Sequence, residues 1–207
     1  MDGAKNDDDS LVLAGFVEGS RANGPGLRIV VWVQGCSIGC PGCFNPKTHD
    51  PEGPRTPVAT ILSRVLAAVR PETVGVTFSG GEPFEQAAAL ARLAEGIRAA
   101  WPDGTLMAYS GYSLPDLQGA DAPPGSAALL AQLDYLVDGP FEVSAPGTSA
   151  WRASTNQQLR VLGRPLPPEN PGQGDGHVGE FHVLADGGVL LSGLPDPKLR
   201  HILKSIT

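Results

Sequence analysis

The chain has 207 residues, 41% of them hydrophobic and 18% charged, which supplies one sizeable core and argues against disorder. A formal net charge of −7 without a basic run argues against nucleic acid or an anionic membrane as the main partner. Three cysteines, all between positions 36 and 43, exclude a disulfide scaffold and direct attention to a metal.

The chain opens with acidic Asp7, Asp8 and Asp9, the wrong charge for a signal peptide. Its first apolar stretch, 11–16, is too short for a leader, and nothing later approaches the ~18 residues of a membrane span. A cytoplasmic protein without a membrane partner is expected. The β-rich run 28–34 reads as a buried strand ending at Gly35. Thr56 and Pro57 supply an N-cap and an N1 proline, and Val58, Ile61, Leu62, Val65, Leu66 and Val69 follow at helical spacing up to Pro71. Val74, Val76 and Phe78 alternate as a strand that runs into Ser79-Gly80-Gly81-Glu82-Pro83. A helix through Leu90, Leu93 and Ile97, a strand over 105–109, a helix capped by Ser126 and a strand over 135–137 complete the rhythm.

Strands separated by helices predict βαβ units, hence an α/β fold with an open parallel sheet or a partial (β/α) barrel. From 142 to 179 prolines and glycines break the pattern, and an irregular loop is expected. Residues 180–191 alternate around Asp186, Gly187 and Gly188 as a C-terminal hairpin, and 197–204 reads as a short terminal helix. One domain, 1–207, is expected, with its core over about 14–160 and the loop, hairpin and helix over 142–207.

Cys36-Ser37-Ile38-Gly39-Cys40-Pro41-Gly42-Cys43 is a C-x3-C-x2-C loop directly after the first strong strand. Its glycines let the backbone wrap one inorganic centre, and thiolates suit zinc and iron–sulfur clusters. A structural zinc site takes four ligands, so zinc requires an outside residue, for which His49 is nearest. A 4Fe–4S cluster on three cysteines leaves one iron open to an exogenous ligand. The plain alternative is three buried apolar cysteines. Gly80-Gly81-Glu82-Pro83 falls at the end of the next strand, on the same sheet edge, where α/β proteins bind ligands. Two glycines admit a polar ligand to the backbone, and Glu82 can accept from an ammonium; an ordinary strand-to-helix turn also uses Gly and Pro.

The cysteine motif together with G-G-E-P resembles the radical S-adenosylmethionine (SAM) superfamily. Asn23-Gly24-Pro25-Gly26-Leu27-Arg28, Val33-Gln34-Gly35-Cys36 and Cys43-Phe44-Asn45-Pro46 resemble its glycyl-radical-enzyme activases. Cys40-Pro41-Gly42-Cys43, Tyr109-Ser110-Gly111-Tyr112, the segment 136–141 and the segment 152–157 resemble the activase branch of anaerobic (class III) ribonucleotide reductase, over roughly 14–160.

The resemblance implies Cys36, Cys40 and Cys43 as cluster ligands, and Gly80, Gly81, Glu82 and Pro83 beside SAM. It places Phe44 and Asn45 against the cluster, and Ser110, Tyr112 and Asp138 at strand ends within reach of SAM. For Ser110 and Asp138 a turn role competes, and for Phe44 a place in the core. Arg28 and Asn156 are weaker candidates. His49, His177, His182 and His201 read as surface or packing residues.

The activity implied is reductive SAM cleavage to a 5′-deoxyadenosyl radical that takes hydrogen from a substrate, most naturally a backbone glycine of a partner glycyl radical enzyme. A low-potential donor such as flavodoxin or ferredoxin is implied with it. Direct action on a small molecule or peptide, and a non-catalytic metal- or cluster-binding interaction module, are the alternatives. Two departures stand out: Ser37-Ile38-Gly39 lacks the polar His expected before Cys40 in that branch, and the tail after Arg160 is unlike it.

Overall fold

A computed structural model describes residues 9–149, 151–167, 178–183 and 187–194. The expected helix over 197–204, Asp7, Asp8, Asp186, His177 and His201 lie outside them. Seven strands form one open sheet: β1 (Ser10–Ser20), β2 (Leu27–Val33), β3 (Arg55–Pro57), β4 (Thr73–Gly80), β5 (Thr105–Tyr109), β6 (Tyr135–Asp138) and β9 (Gln158–Val161). Their order is β3-β1-β2-β4-β5-β6-β9, and among the described residues the sheet does not close into a barrel. Strands β2, β4, β5 and β6 are parallel, as the βαβ rhythm predicts. The sheet as a whole is mixed, because β1, β3 and β9 pair antiparallel at its flanks.

The central strands are apolar on both sides because both faces are covered. On one face lie α1 (Val58–Ala68), α2 (Ala87–Ala100), and the short helices α3 (Leu114–Gln118) and α4 (Ser126–Leu130). There Ile61, Val65, Leu90, Leu93 and Ile97 pack on Ile29, Val31, Val76, Phe78 and Leu106. Burying each such side chain is worth about 1.5–3 kcal/mol. The pairing of α1 and α2 is close: a Cβ on Gly96 would lie 2.7 Å from Leu62 Cδ2.

The other face carries smaller clusters. Val17, Val30 and Trp32 pack with Leu190, and Met107, Tyr135 and Val137 with Leu159 and Leu166. The hairpin of β10 (Gly179–Val183) and β11 (Val189–Gly193) forms a separate two-stranded sheet, as expected for the C-terminal region.

Several expectations are corrected. Thr56 is not an N-cap: Arg55–Pro57 is an edge strand, and Pro57 itself occupies the cap position of α1 without a side-chain hydrogen bond. The left-handed Gly125 takes the cap position of α4, and the Ser126 hydroxyl donates to the Pro123 carbonyl. The stretch after 142 is not wholly irregular. It contains a second hairpin, β7 (Pro146–Ser149) with β8 (Arg152–Ser154), and then β9. Strands of three or four residues are too short to show a period, and Pro and Gly are tolerated at edges.

Arg28, the second residue of β2, is buried at the end of the sheet remote from the cysteines. It donates to Thr77 Oγ1 (2.7 Å), Thr105 Oγ1 (2.8 Å) and the Val76 carbonyl (2.8 Å). Burial lowers its pKa to about 10. Its task is to satisfy strand ends from within.

Candidate functional site

Parallel strands bring the loops after β2, β4, β5 and β6 to one edge of the sheet. The loop after β2 carries the cysteines, and backbone hydrogen bonds close its neck: Gly35 N–H to Thr48 O (2.9 Å) and Cys36 N–H to His49 O (3.1 Å). The Gln34 side-chain amide adds bonds to the Lys47 (3.0 Å) and Asp50 (2.6 Å) carbonyls. Between these points the chain doubles back at Gly39 (φ +59°) and Gly42 (φ +74°), a region of backbone space that favours glycine. Cys36, Cys40 and Cys43 form no disulfide and are partly exposed. The Asn45 N–H donates to Cys43 Sγ at 3.4 Å. Burial pushes the Cys36 thiol up.

The glycines after β4 are dictated by close approach to this loop. A Cβ on Gly81 would lie 2.1 Å from Gly35 O, and one on Gly80 2.5 Å from Val33 O. The Gly81 N–H donates to Val33 O and the Glu82 N–H to Gly35 O, each at 2.8 Å. Glu82 is buried, and its carboxylate faces the chain's own donors. Oε1 accepts from Phe84 N–H and Ser110 Oγ–H, each at 2.9 Å, and Oε2 from Gly111 N–H at 2.7 Å. It thereby fastens the loop after β4 to the loop after β5. Burial raises its pKa to about 7 against these hydrogen bonds. Gly111 in turn sits against the cysteine loop, where a Cβ would meet Ile38 Cδ1 at 2.6 Å.

A cleft of about 270 Å³ opens over these loops. Of the residues singled out in the sequence, Cys36, Cys40, Cys43, Phe44, Asn45, Gly80, Gly81, Glu82 and Ser110 all line it. Pro83 is buried beneath, opening a 3-10 turn. Tyr112 packs against the helix-side core. Asp138 is buried away from the lining, with Oδ2 accepting from Leu114 N–H and Oδ1 from Arg160 Nε–H, each at 2.8 Å. Asn156 stands just outside, its side-chain amide donating to Pro140 O at 2.7 Å.

Sequence reasoning missed the walls. Phe141 meets Phe44 edge-on, with ring centroids 5.1 Å apart. Trp151 is buried at the cleft, and Gln157 ties the β7–β8 hairpin to the end of β6 by donating to Gly139 O at 3.0 Å. The resemblances over 136–141 and 152–157 were the signals for that side. Nothing in the sequence signalled that residues 190–194 of the C-terminal hairpin line the same cleft.

The donor set decides what the cleft can hold. A single tetrahedral zinc with bonds of ~2.3 Å gathers its sulfurs tightly, yet among the described residues no three His, Cys, Asp or Glu side chains are disposed to hold one metal ion. His49 does not line the cleft. Three thiols lining one cleft suit a cluster that leaves one iron open. The sequence matches the 4Fe–4S single cluster domain family over residues 22–160.

The chain belongs to that family. Its relatives include the anaerobic ribonucleoside-triphosphate reductase-activating protein of Vibrio cholerae, 32% identical over 66% of this chain and 89% of that protein. The protein of the same name from Escherichia coli K12 is 30% identical over 68% of this chain and 92% of its own length. That of phage T4 is 26% identical over 66% and 85%. Family match and relatives together put the chain in the activase branch of the radical SAM group, with an iron–sulfur cluster and SAM as its cofactors. No helix among the described residues is long and apolar enough to cross a membrane.

Proposed function

We propose that this protein activates a glycyl radical enzyme of the anaerobic ribonucleotide reductase type, in the cytoplasm, with the whole chain working as one domain. The observation that carries the reading is the lining of one cleft by all three cysteines together with Gly80, Gly81 and Ser110, in a member of the 4Fe–4S single cluster family. Cys36, Cys40 and Cys43 would hold the cluster. Gly80 and Gly81 bring backbone polar groups to the cleft wall, where a methionine amino group can be bound. Glu82 and Ser110, bonded to each other, hold the two neighbouring loops at fixed separation. When bound, a reduced 4Fe–4S cluster supplies the electron that splits SAM into methionine and a 5′-deoxyadenosyl radical.

The chain's own contribution is to position the reactants and to exclude solvent. Phe44 and Phe141 form an apolar edge at the cysteine loop, and the buried Trp151 and Trp32 add apolar lining to the cleft. A low-potential donor such as flavodoxin or ferredoxin completes the system. The test is anaerobic reconstitution with iron and sulfide, followed by SAM, reductant and a candidate anaerobic ribonucleotide reductase. A stable glycyl-radical doublet on the partner supports the reading. Absence of 5′-deoxyadenosine with a fully loaded cluster overturns it.

A further inference from the structure

The family match ends at residue 160, but the cleft does not. Leu190, Leu191, Ser192, Gly193 and Leu194 all line it, and they belong to the β10–β11 hairpin and the residue after it. This hairpin is seated by specific contacts. Leu190 packs on Val17, Val30 and Trp32, covering the helix-free face of β1 and β2. Glu180 accepts from Ser20 Oγ–H and, at 2.8 Å, from Arg21 N–H. The Asn23 side-chain amide donates to Ser20 Oγ (2.7 Å) and Ser192 Oγ (3.2 Å), and His182 Nε2 lies 3.0 Å from Ser192 Oγ.

Ser20, Asn23 and Ser192 are all buried, so each of these bonds is costly to leave unmade. Gly193 makes the closest approach. Its φ is +80°, and a Cβ there would lie 2.4 Å from both Ala22 Cβ and Val178 O. Trp151 and Gln157 line the same cleft.

We propose that the docked β10–β11 hairpin determines which substrates reach the cysteines. It walls the β1–β2 side of the cleft and limits the bulk that can enter beside the reacting group. This rests on the proposed function for its chemistry; the wall itself rests on the hairpin contacts alone.

Two readouts keep these apart, both on the full-length chain. The first uses the cluster-free protein and compares alkylation of the three cysteines by iodoacetamide and by pyrenyl maleimide. The parent disfavours the bulky reagent by about tenfold relative to a free thiol control, and Gly193→Val or Glu180→Ala reduces that to about twofold. Equal size discrimination in parent and both variants, with circular dichroism unchanged, overturns the wall. The second uses reconstituted protein, SAM and reductant with synthetic peptides bearing glycine between alanines or between tryptophans. Peptide-stimulated 5′-deoxyadenosine formation favours the alanine peptide by about tenfold in the parent and loses that preference in Gly193→Val. A parent that forms no 5′-deoxyadenosine overturns the proposed function, while the alkylation ratio still decides the wall.

Discussion

Where the parallel strands begin, Arg28 is buried and its guanidinium donates to two threonine hydroxyls and to strand carbonyls. Where they finish, three thiols lie partly exposed on a glycine-hinged loop, beside a carboxylate whose burial raises its pKa to about 7. The first end satisfies its polar groups internally and so contributes rigidity. The second holds its polar groups in tension with their surroundings, which suits chemistry better than stability. The same sheet carries both, and the strand direction decides which end is which.

The sharpest way to break the contrast is at the cysteine end. Cys40→Ala is expected to abolish SAM cleavage and to lower iron content, while urea denaturation of the cluster-free chain stays near the parent. At the other end the effects reverse. Arg28→Met leaves buried carbonyls without donors and is expected to cost about 3–5 kcal/mol in urea denaturation. The folded fraction of that variant still takes up a cluster, because its contacts lie across the sheet from the thiols.

Glu82 offers a subtler probe. Its folded pKa of about 7 stands above its ordinary 4.5, so the folded state binds the extra proton between those values. Stability from this group is fully present below its ordinary pKa and is lost as pH rises through about 7, a decline of roughly 3 kcal/mol at most. Glu82→Gln is expected to flatten that decline between mildly acidic and mildly alkaline pH in thermal or urea unfolding. An unchanged pH slope would assign the decline to other groups. The smallest effect is at the aromatic edge: Phe141→Leu keeps the apolar bulk, loses the edge-on contact with Phe44, and is expected to cost about 1 kcal/mol.

The sequence made the cysteine end legible because its chemistry is local: three thiols within one loop, and two glycines directly after a strand. It also showed α1, α2 and the parallel strands, whose apolar spacing runs long enough to register a period. It did not show that Glu82 would turn inward, since the donors it meets at Ser110 and Gly111 come from the next strand's loop. Asp138 was read from its place at a strand end, but its partner Arg160 lies on a strand too short to predict. The walls were hidden for the same reason. Trp151 and the 190–194 segment reach the cleft through tertiary packing, which no local pattern encodes.

The neck of the cysteine loop has a consequence for how the working protein is made. Peptide groups at Gly35, Cys36, Thr48 and His49, joined by the amide of Gln34, hold the loop's two ends together without help from sulfur. The closure of the loop is thereby set by peptide hydrogen bonds, and the cluster-free chain is expected to keep it, which circular dichroism before and after iron loading checks.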